Sequence, residues 1–98
     1  MLAVEFDWDP RKEIENVRKH RVLFEEAATV LGDLLGVTVP DPDHSFDESR
    51  FLTVGMSSQN RLLIVSYVER GHCFRIISAR ELTRNERKSY ETKRQRHN

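Results

Sequence analysis

The chain has 98 residues, of which 33% are charged and 38% are hydrophobic. This length predicts a single domain over residues 1–98 with one modest core. No stretch approaches the roughly 18 consecutive apolar residues that a membrane-spanning helix needs, and the single cysteine, Cys73, excludes an internal disulfide. Because no signal-peptide pattern precedes the first predicted strand, we expect a cytoplasmic protein.

The formal net charge of zero conceals an uneven distribution along the chain. Residues 1–60 carry 6 Lys and Arg against 12 Asp and Glu, whereas residues 61–98 carry 10 against 4. A basic half of this kind is typical of proteins that bind nucleic acid or an acidic protein. The alternative is that the two halves neutralise each other within one fold.

The first half predicts a strand followed by two helices. Residues 3–8 alternate apolar and acidic side chains, which indicates a half-buried strand. Asp9-Pro10 is a typical helix start, and we expect this helix to run to about His20 with Ile14 and Val17 facing the core. A second, shorter helix is predicted over residues 24–31.

The second half predicts a meander of strands and a final helix. A short strand is expected within residues 34–39, and three longer strands over residues 50–56, 62–68 and 73–79. Their hairpin-length connectors predict antiparallel pairing. The second of these three begins with a run that is apolar on both faces, which predicts a central strand. Thr83-Arg84-Asn85-Glu86 matches a capping box that starts a C-terminal helix.

This order of elements predicts an α+β fold. We expect a small antiparallel sheet with the N-terminal helices packed on one face and a C-terminal helix.

The residue types available fit the cleavage of RNA without a metal. That reaction needs a base for the ribose 2′-hydroxyl, an acid for the leaving 5′-oxygen and cations for the extra phosphorane charge. Histidine as a residue type has an unperturbed pKa, roughly 6.5, that suits acid or base work, and His20 is the candidate for this role. Arginines suit the charge-stabilising role because the guanidinium is a fork for phosphate oxygens. The alternatives are a helix-capping histidine and arginines paired with surface carboxylates.

Arg75 lies on the last predicted strand, and Arg80 lies just beyond its end, five positions later. Regular alternation puts them on opposite faces. They converge only if the chain departs from a regular strand near Ser78-Ala79.

An acidic loop raises the possibility of a metal site. Clustered carboxylates attract hard cations, but the loop matches neither a calcium-binding loop nor a zinc-binding helix. We therefore expect no metal site there, and a solvated loop instead. The loop contains Asp41, Asp43, His44, Asp47 and Glu48.

Five blocks of residues, in this order, carry a family resemblance. They are Phe6-Asp7-Trp8-Asp9 with Lys12; Asn16 with Lys19-His20; Phe24-Glu25-Glu26-Ala27; His44 with Glu48, Arg50 and Gly55; and Arg75-Ile76-Ile77-Ser78-Ala79-Arg80 with Glu86-Arg87 and Tyr90. Together they cover about residues 6 to 90 and resemble the BrnT family of type II toxins, which have a RelE-like fold.

The resemblance implies a ribonuclease toxin that arrests translation by cleaving RNA. It also implies a cognate BrnA-type antitoxin that neutralises the toxin, binds operator DNA and forms a two-plus-two assembly with it. No cofactor is implied. Carried over residue by residue, the catalytic candidates are His20, Lys19, Arg50, Arg75 and Arg80, with the lysine and the arginines holding the phosphate. The acid–base role of His20 follows from the chemistry of its imidazole and not from the resemblance. The RNA-binding candidates are Arg21, Arg87 and Tyr90.

Arg21 departs from the family pattern, which usually has glycine after the Lys-His pair. A helix would end there in a left-handed turn. Either the helix ends differently in this chain, or Arg21 accepts the strain of that conformation and adds a cation to the site.

Two other functions compete with the ribonuclease. One is a RelE-like module that has lost activity and acts only in the antitoxin complex and in operon autoregulation. The other is a metal-dependent phosphohydrolase built on the 41–48 loop. Retention of both His20 and the cationic residues favours the ribonuclease.

Overall fold

The computed structural model describes residues 4–43 and 49–96. These residues form the elements β1 (Glu5–Trp8), α1 (Pro10–His20), α2 (Phe24–Val30), β2 (Val37–Pro40), β3 (Arg50–Met56), β4 (Leu62–Arg70), β5 (Cys73–Glu81) and α3 (Arg84–Arg96). Every element predicted from the sequence is present. None of the helices in these two ranges is long and apolar enough to cross a membrane.

The sheet is mixed, which corrects the predicted antiparallel sheet. Its strand order is β1-β5-β4-β3-β2. Strands β2 to β5 pair antiparallel, as their short connectors predicted, and β4 is central. However, β1 pairs parallel with β5. A tight turn fixes an antiparallel partner, whereas β1 is followed by two helices and is free to join the far edge in parallel.

The main core lies between α2 and one face of the sheet. Phe24 of α2 is fully buried, and the Trp8 ring meets it edge to face with the ring centroids 6.0 Å apart. The buried members of this core are Val22, Phe24, Ala27, Val30, Leu63, Val65, Tyr67, Ile76 and Ala79.

A smaller apolar cluster lies on the opposite face of the sheet. Leu62 and Leu82 are buried there together with Tyr90 of α3, and Ile64 packs against them. Helix α3 therefore covers part of this second face, and the rest of that face is left for the cleft described below.

Helix α1 turns a polar side chain inward, which corrects the expectation that Ile14 faces the core. Ile14 is 69% exposed, whereas Asn16 is buried. The Asn16 amide nitrogen donates to the carbonyl oxygens of Val22 and Ala79, at 3.0 and 2.9 Å. Its carbonyl oxygen accepts the Ala79 N–H at 3.0 Å. Every polar atom of this buried amide is thus satisfied.

The Asn16 bonds complete the edge of β5 where β1 has ended. The parallel pairing of β1 and β5 stops at Trp8 and Ile76. Beyond that point, the outward backbone groups of β5 would lack a partner, and Asn16 supplies both a donor and an acceptor. The side chain thereby fixes α1 against β5.

A pairing irregularity in β5 places Arg75 and Arg80 on the same face. Ser66 pairs with Ser78 and the next residue of β4 pairs with Ile76, so Ile77 has no partner in the register. Such a bulge shifts the alternation by one residue. Ile76 and Ala79 accordingly both face the core, and the arginines beside them both face away from it.

We predict that Asn16→Ala lowers the free energy of unfolding by about 2–4 kcal/mol, because it leaves three buried backbone groups unpaired. Chemical denaturation followed by circular dichroism measures this change. Arg18→Ala is the control, since it removes only an exposed pair with Glu15 from the same helix and should cost less than about 1 kcal/mol. Equal losses in the two variants would contradict the role of Asn16.

Candidate active site

A cleft of about 410 Å³ opens on the face of the sheet opposite α2. This volume lies within the range of roughly 300–1,000 Å³ that is typical of ligand sites. Three of the five predicted catalytic residues, His20, Arg50 and Arg80, line this one cleft. The other lining residues are Asp41, Asp43, Leu52, Ile64, Ser66, Ile77, Ser78 and Ala79.

A second cleft of about 240 Å³ adjoins the first along α1. Lys19 lines it, and its ammonium lies 3.3 Å from the carboxylate of Glu15. His20, Ile77 and Ser78 line both clefts. The predicted catalytic lysine therefore lies next to the main cleft, across the wall that His20 forms.

The end of α1 places His20. Arg21 adopts the left-handed conformation, with φ 59° and ψ 35°, and donates its N–H to the Val17 carbonyl at 2.9 Å. This is the strained alternative considered from the sequence, and it costs roughly 1 kcal/mol for a residue other than glycine. The Arg21 carbonyl accepts a hydrogen bond from Arg61 at 3.2 Å, which helps to hold this helix end.

Arg61 is itself fixed by a buried carboxylate. It forms a two-pronged ion pair with Glu26, whose side chain is almost fully buried. The Arg61 hydrogen bond, more than any other contact, holds the pKa of Glu26 below its ordinary value. This pair joins α2 to the start of β4 and supports the turn that follows His20.

Arg80 is held at the rim of the cleft by Glu86 of α3. Nη1 of Arg80 lies 2.8 Å from one carboxylate oxygen of Glu86, and Nη2 lies 3.0 Å from the other. This pairing raises the pKa of Arg80. Both side chains remain more than one third exposed, at 38% and 39%, so Arg80 is paired without being removed from solvent.

Glu86 also forms the capping box predicted from the sequence. Its carboxylate accepts the Thr83 N–H at 2.8 Å, and the Thr83 hydroxyl accepts the Glu86 N–H at 3.2 Å. The hydrogen bond from Arg80, followed by that from the Thr83 backbone, lowers the pKa of Glu86 to about 2. Glu86 is therefore ionised throughout the physiological pH range.

Arg75 faces the same side as Arg80 but does not line the cleft. Its guanidinium pairs with Asp7, its register partner on β1. The structure thus brings together His20, Arg50 and Arg80, places Lys19 beside them, and leaves Arg75 on the adjacent surface.

Arg50 begins β3 at the acidic end of the cleft. Its carbonyl accepts the N–H of Asp41 at 2.9 Å, and Asp41 is buried, with a carboxylate oxygen that accepts the Asp43 N–H at 3.0 Å. Within residues 4–43 and 49–96, no group of three or more His, Cys, Asp or Glu is placed to hold a metal ion.

The remaining residues of the acidic loop, His44, Asp47 and Glu48, lie outside the described residues. The expectation for the whole 41–48 loop therefore stays a prediction.

The three predicted RNA-binding residues have different environments. Arg21 and Arg87 are exposed, and neither lines the main cleft. Tyr90 is buried between α3 and the sheet, and its hydroxyl donates to the Leu35 carbonyl at 3.1 Å. It lines a separate apolar groove under α3.

The cleft combines the imidazole of His20 with the guanidinium groups of Arg50 and Arg80. An imidazole is suited to general acid or base catalysis, and guanidinium groups bind phosphate oxygens. Asp41 and Asp43 line the same cleft and reduce its positive charge.

From the sequence, Asp41 and Asp43 are candidates for metal binding only, and Glu86 is a helix cap and a member of the closing block of the family resemblance, with no role at the site. No local signal connects Asp41 and Asp43 with the arginines, because these aspartates follow β2 and share the cleft with Arg50 and Arg80 only through the arrangement of the strands in the sheet. For Glu86, its position six residues after Arg80 in a capping box was the available signal.

We predict that the Arg80–Glu86 pair contributes pH-dependent stability. The folded pKa of Glu86, about 2, lies below the ordinary value of 4.5, so the contribution is present above the unfolded pKa and is lost as the pH falls toward 2. Solvent exposure limits it to about 1 kcal/mol. The free energy of unfolding of Glu86→Gln should differ from wild type most at neutral pH and converge in acid. A difference independent of pH would contradict this.

Comparisons with known proteins agree with this fold. The crystal structure of the Brucella abortus ribonuclease toxin, BrnT, superposes with a TM-score of 0.66 and 19% sequence identity, covering 84% of this chain and 100% of that one. At this identity the superposition shows a shared fold. No curated protein sequence is significantly similar to the chain. The family model for BrnT, the ribonuclease toxin of type II toxin–antitoxin systems, matches residues 8–86, and the chain belongs to this family.

Proposed function

We propose that this ribonuclease toxin cleaves RNA without a metal ion, in the main cleft. The observation that carries this proposal is the convergence of His20, Arg50 and Arg80 on one cleft of the sheet. These residues come from three separate elements, so their proximity results from the fold and not from their positions in the sequence.

The proposed reaction is an internal transesterification. The imidazole of His20 accepts the proton of the ribose 2′-hydroxyl while the 2′-oxygen attacks the adjacent phosphorus. The bond from phosphorus to the 5′-oxygen breaks, and a proton from solvent completes the departing 5′-hydroxyl. The other product is a 2′,3′-cyclic phosphate, so no water is consumed in this step.

The guanidinium groups stabilise the charge that develops on the phosphorane. Arg50 and Arg80 line opposite parts of the cleft wall, on β3 and β5, and donate to the non-bridging oxygens. Lys19 holds a flanking phosphate from the adjoining cleft. Arg75, Arg21 and Arg87 contact the RNA backbone outside the cleft, and Tyr90 anchors α3.

The toxin family implies an antitoxin partner. We propose a BrnA-type antitoxin that forms a two-plus-two complex with this chain and carries the contacts to operator DNA. Light scattering on the complex purified after co-expression measures this stoichiometry, and a one-to-one mass would contradict it.

We predict that the purified protein, free of antitoxin, cleaves total RNA in the presence of EDTA. Arg80→Ala should lose about 10²–10³ in rate, because one donor to the phosphorane charge is removed. Arg18→Ala also loses one arginine, but from the exposed outer side of α1, and should retain activity. Circular dichroism checks that both variants remain folded.

Three other results of this experiment would each change the proposal. Cleavage that EDTA abolishes would favour the metal-dependent phosphohydrolase. Full activity in folded Arg80→Ala would remove Arg80 from the site. Absence of cleavage by folded wild type would contradict a free-standing ribonuclease, and a translating extract would then separate a ribosome-dependent toxin from an inactive binding module.

A further inference from the structure

The guanidinium of Arg80 has only some of its donors in use. A guanidinium carries five N–H groups in a planar, rigid arrangement. Glu86 receives one from Nη1 and one from Nη2, and the Glu81 carbonyl receives the second from Nη1, at 3.2 Å. Among the described residues, the Nε–H and the second Nη2–H have no hydrogen-bond partner.

The two remaining N–H groups form one edge of the guanidinium. In any arginine, all five N–H bonds lie in the guanidinium plane. The Nε–H and one Nη2–H point in parallel along the side edge of the group, and one Nη1–H and the other Nη2–H point in parallel along its end edge. Each edge matches two oxygens of a carboxylate or a phosphate. Glu86 occupies the end edge, so the side edge is the one left for a second anion.

Arg80 and its partner Glu86 line different surfaces. Arg80 lines the main cleft and Glu86 does not. Glu86 instead lines the apolar groove beneath α3, together with Leu82 and Tyr90. The carboxylate therefore approaches Arg80 from outside the cleft in which the phosphate is proposed to bind.

Glu86 is in place before any substrate arrives. Its carboxylate accepts the Thr83 N–H and its own N–H is capped by the Thr83 hydroxyl. The first turn of α3 thus fixes the carboxylate, which in turn fixes the plane of the guanidinium. A fixed donor set costs no reorganisation when charge develops on the substrate.

We propose that Glu86 is a positioning residue, which holds the end edge of Arg80 and presents the side edge, Nε–H with Nη2–H, to two non-bridging phosphate oxygens. This inference rests on the proposed function. Because the two anions use different edges, Glu86 orients Arg80 without competing for the same donors. The Glu86 carboxylate thereby belongs to the active-site architecture, whereas the Thr83 hydroxyl serves only the cap of α3.

Cleavage kinetics test this role with two matched controls. Glu86→Gln removes the two-pronged pair and should lower kcat about 10- to 100-fold. KM should stay nearly unchanged, because the loss of a negative charge favours RNA binding and offsets the weaker contact that a less well oriented Arg80 makes with the phosphate. Thr83→Ala removes only the hydroxyl that accepts the Glu86 N–H and keeps the Thr83 N–H that holds the Glu86 carboxylate. Glu81→Gln makes the same charge change at the residue next to Arg80. Both controls should retain wild-type kcat when assayed well below their melting temperatures.

A double-mutant cycle separates positioning from stability. An Arg80→Lys background replaces the planar guanidinium by a single ammonium, which has no edge for Glu86 to orient. In that background, Glu86→Gln should change the single-turnover rate by less than about threefold. A full effect of Glu86→Gln in that background, or a loss equal to that of Thr83→Ala, would overturn the proposal. An increase in kcat would overturn it as well, since it would mean that Glu86 competes with the phosphate.

A binding assay decides the inference even if the wild type fails to cleave RNA, which would contradict the proposed function alone. The probe is a fluorescent 2′-O-methyl oligoribonucleotide, which lacks the attacking hydroxyl. Glu81→Gln should bind it as tightly as wild type or more tightly, whereas Glu86→Gln should bind about threefold or more weakly than Glu81→Gln. Equal affinities of the two charge variants would overturn the positioning role.

Discussion

The buried side-chain amide of Asn16 is the interaction on which the geometry of the cleft depends. It joins α1 to the carbonyl of Val22 and to both backbone groups of Ala79. Rotation of the helix by one residue, about 100°, would break all three bonds and move His20 off the cleft wall. The same constraint explains Ile14, which lies two positions earlier and about 200° around the helix, and so faces solvent. One polar contact thus outweighs the burial of an isoleucine.

The sequence predicted the elements of the fold well, because their signals are local. Asp9-Pro10 and the Thr83-to-Glu86 box mark helix starts within four residues, and the hairpin connectors determine the antiparallel pairs of β3, β4 and β5. The parallel pairing of β1 has no such signal, since two helices separate β1 from the meander. The bulge at Ile77 has no local signal either: the register of β4 and β5 and the burial of both Ile76 and Ala79 reveal it.

The candidate site was predictable in its residue types but not in its arrangement. His20, Arg50 and Arg80 stand out by chemistry and by family resemblance, and the fold brings them together. Arg75 stands out equally in the sequence, yet its pairing with Asp7 places it outside the cleft. That difference arises from β1, whose place in the sheet the sequence did not reveal. An arginine's role is therefore decided by which carboxylate the fold puts beside it.

The uneven charge of the chain is partly resolved within the fold. Arg61 and Arg75 of the basic half pair with Glu26 and Asp7 of the acidic half. These pairs agree in part with the alternative that the two halves neutralise each other within one fold. The net positive charge that the fold presents to a polyanion is therefore smaller than the composition of residues 61–98 implies. Long-range attraction of this kind is also screened by salt, whereas oriented donors retain their effect on a transition state. Catalysis in such a cleft depends on the orientation of a few guanidinium groups toward the phosphate more than on the total number of basic residues.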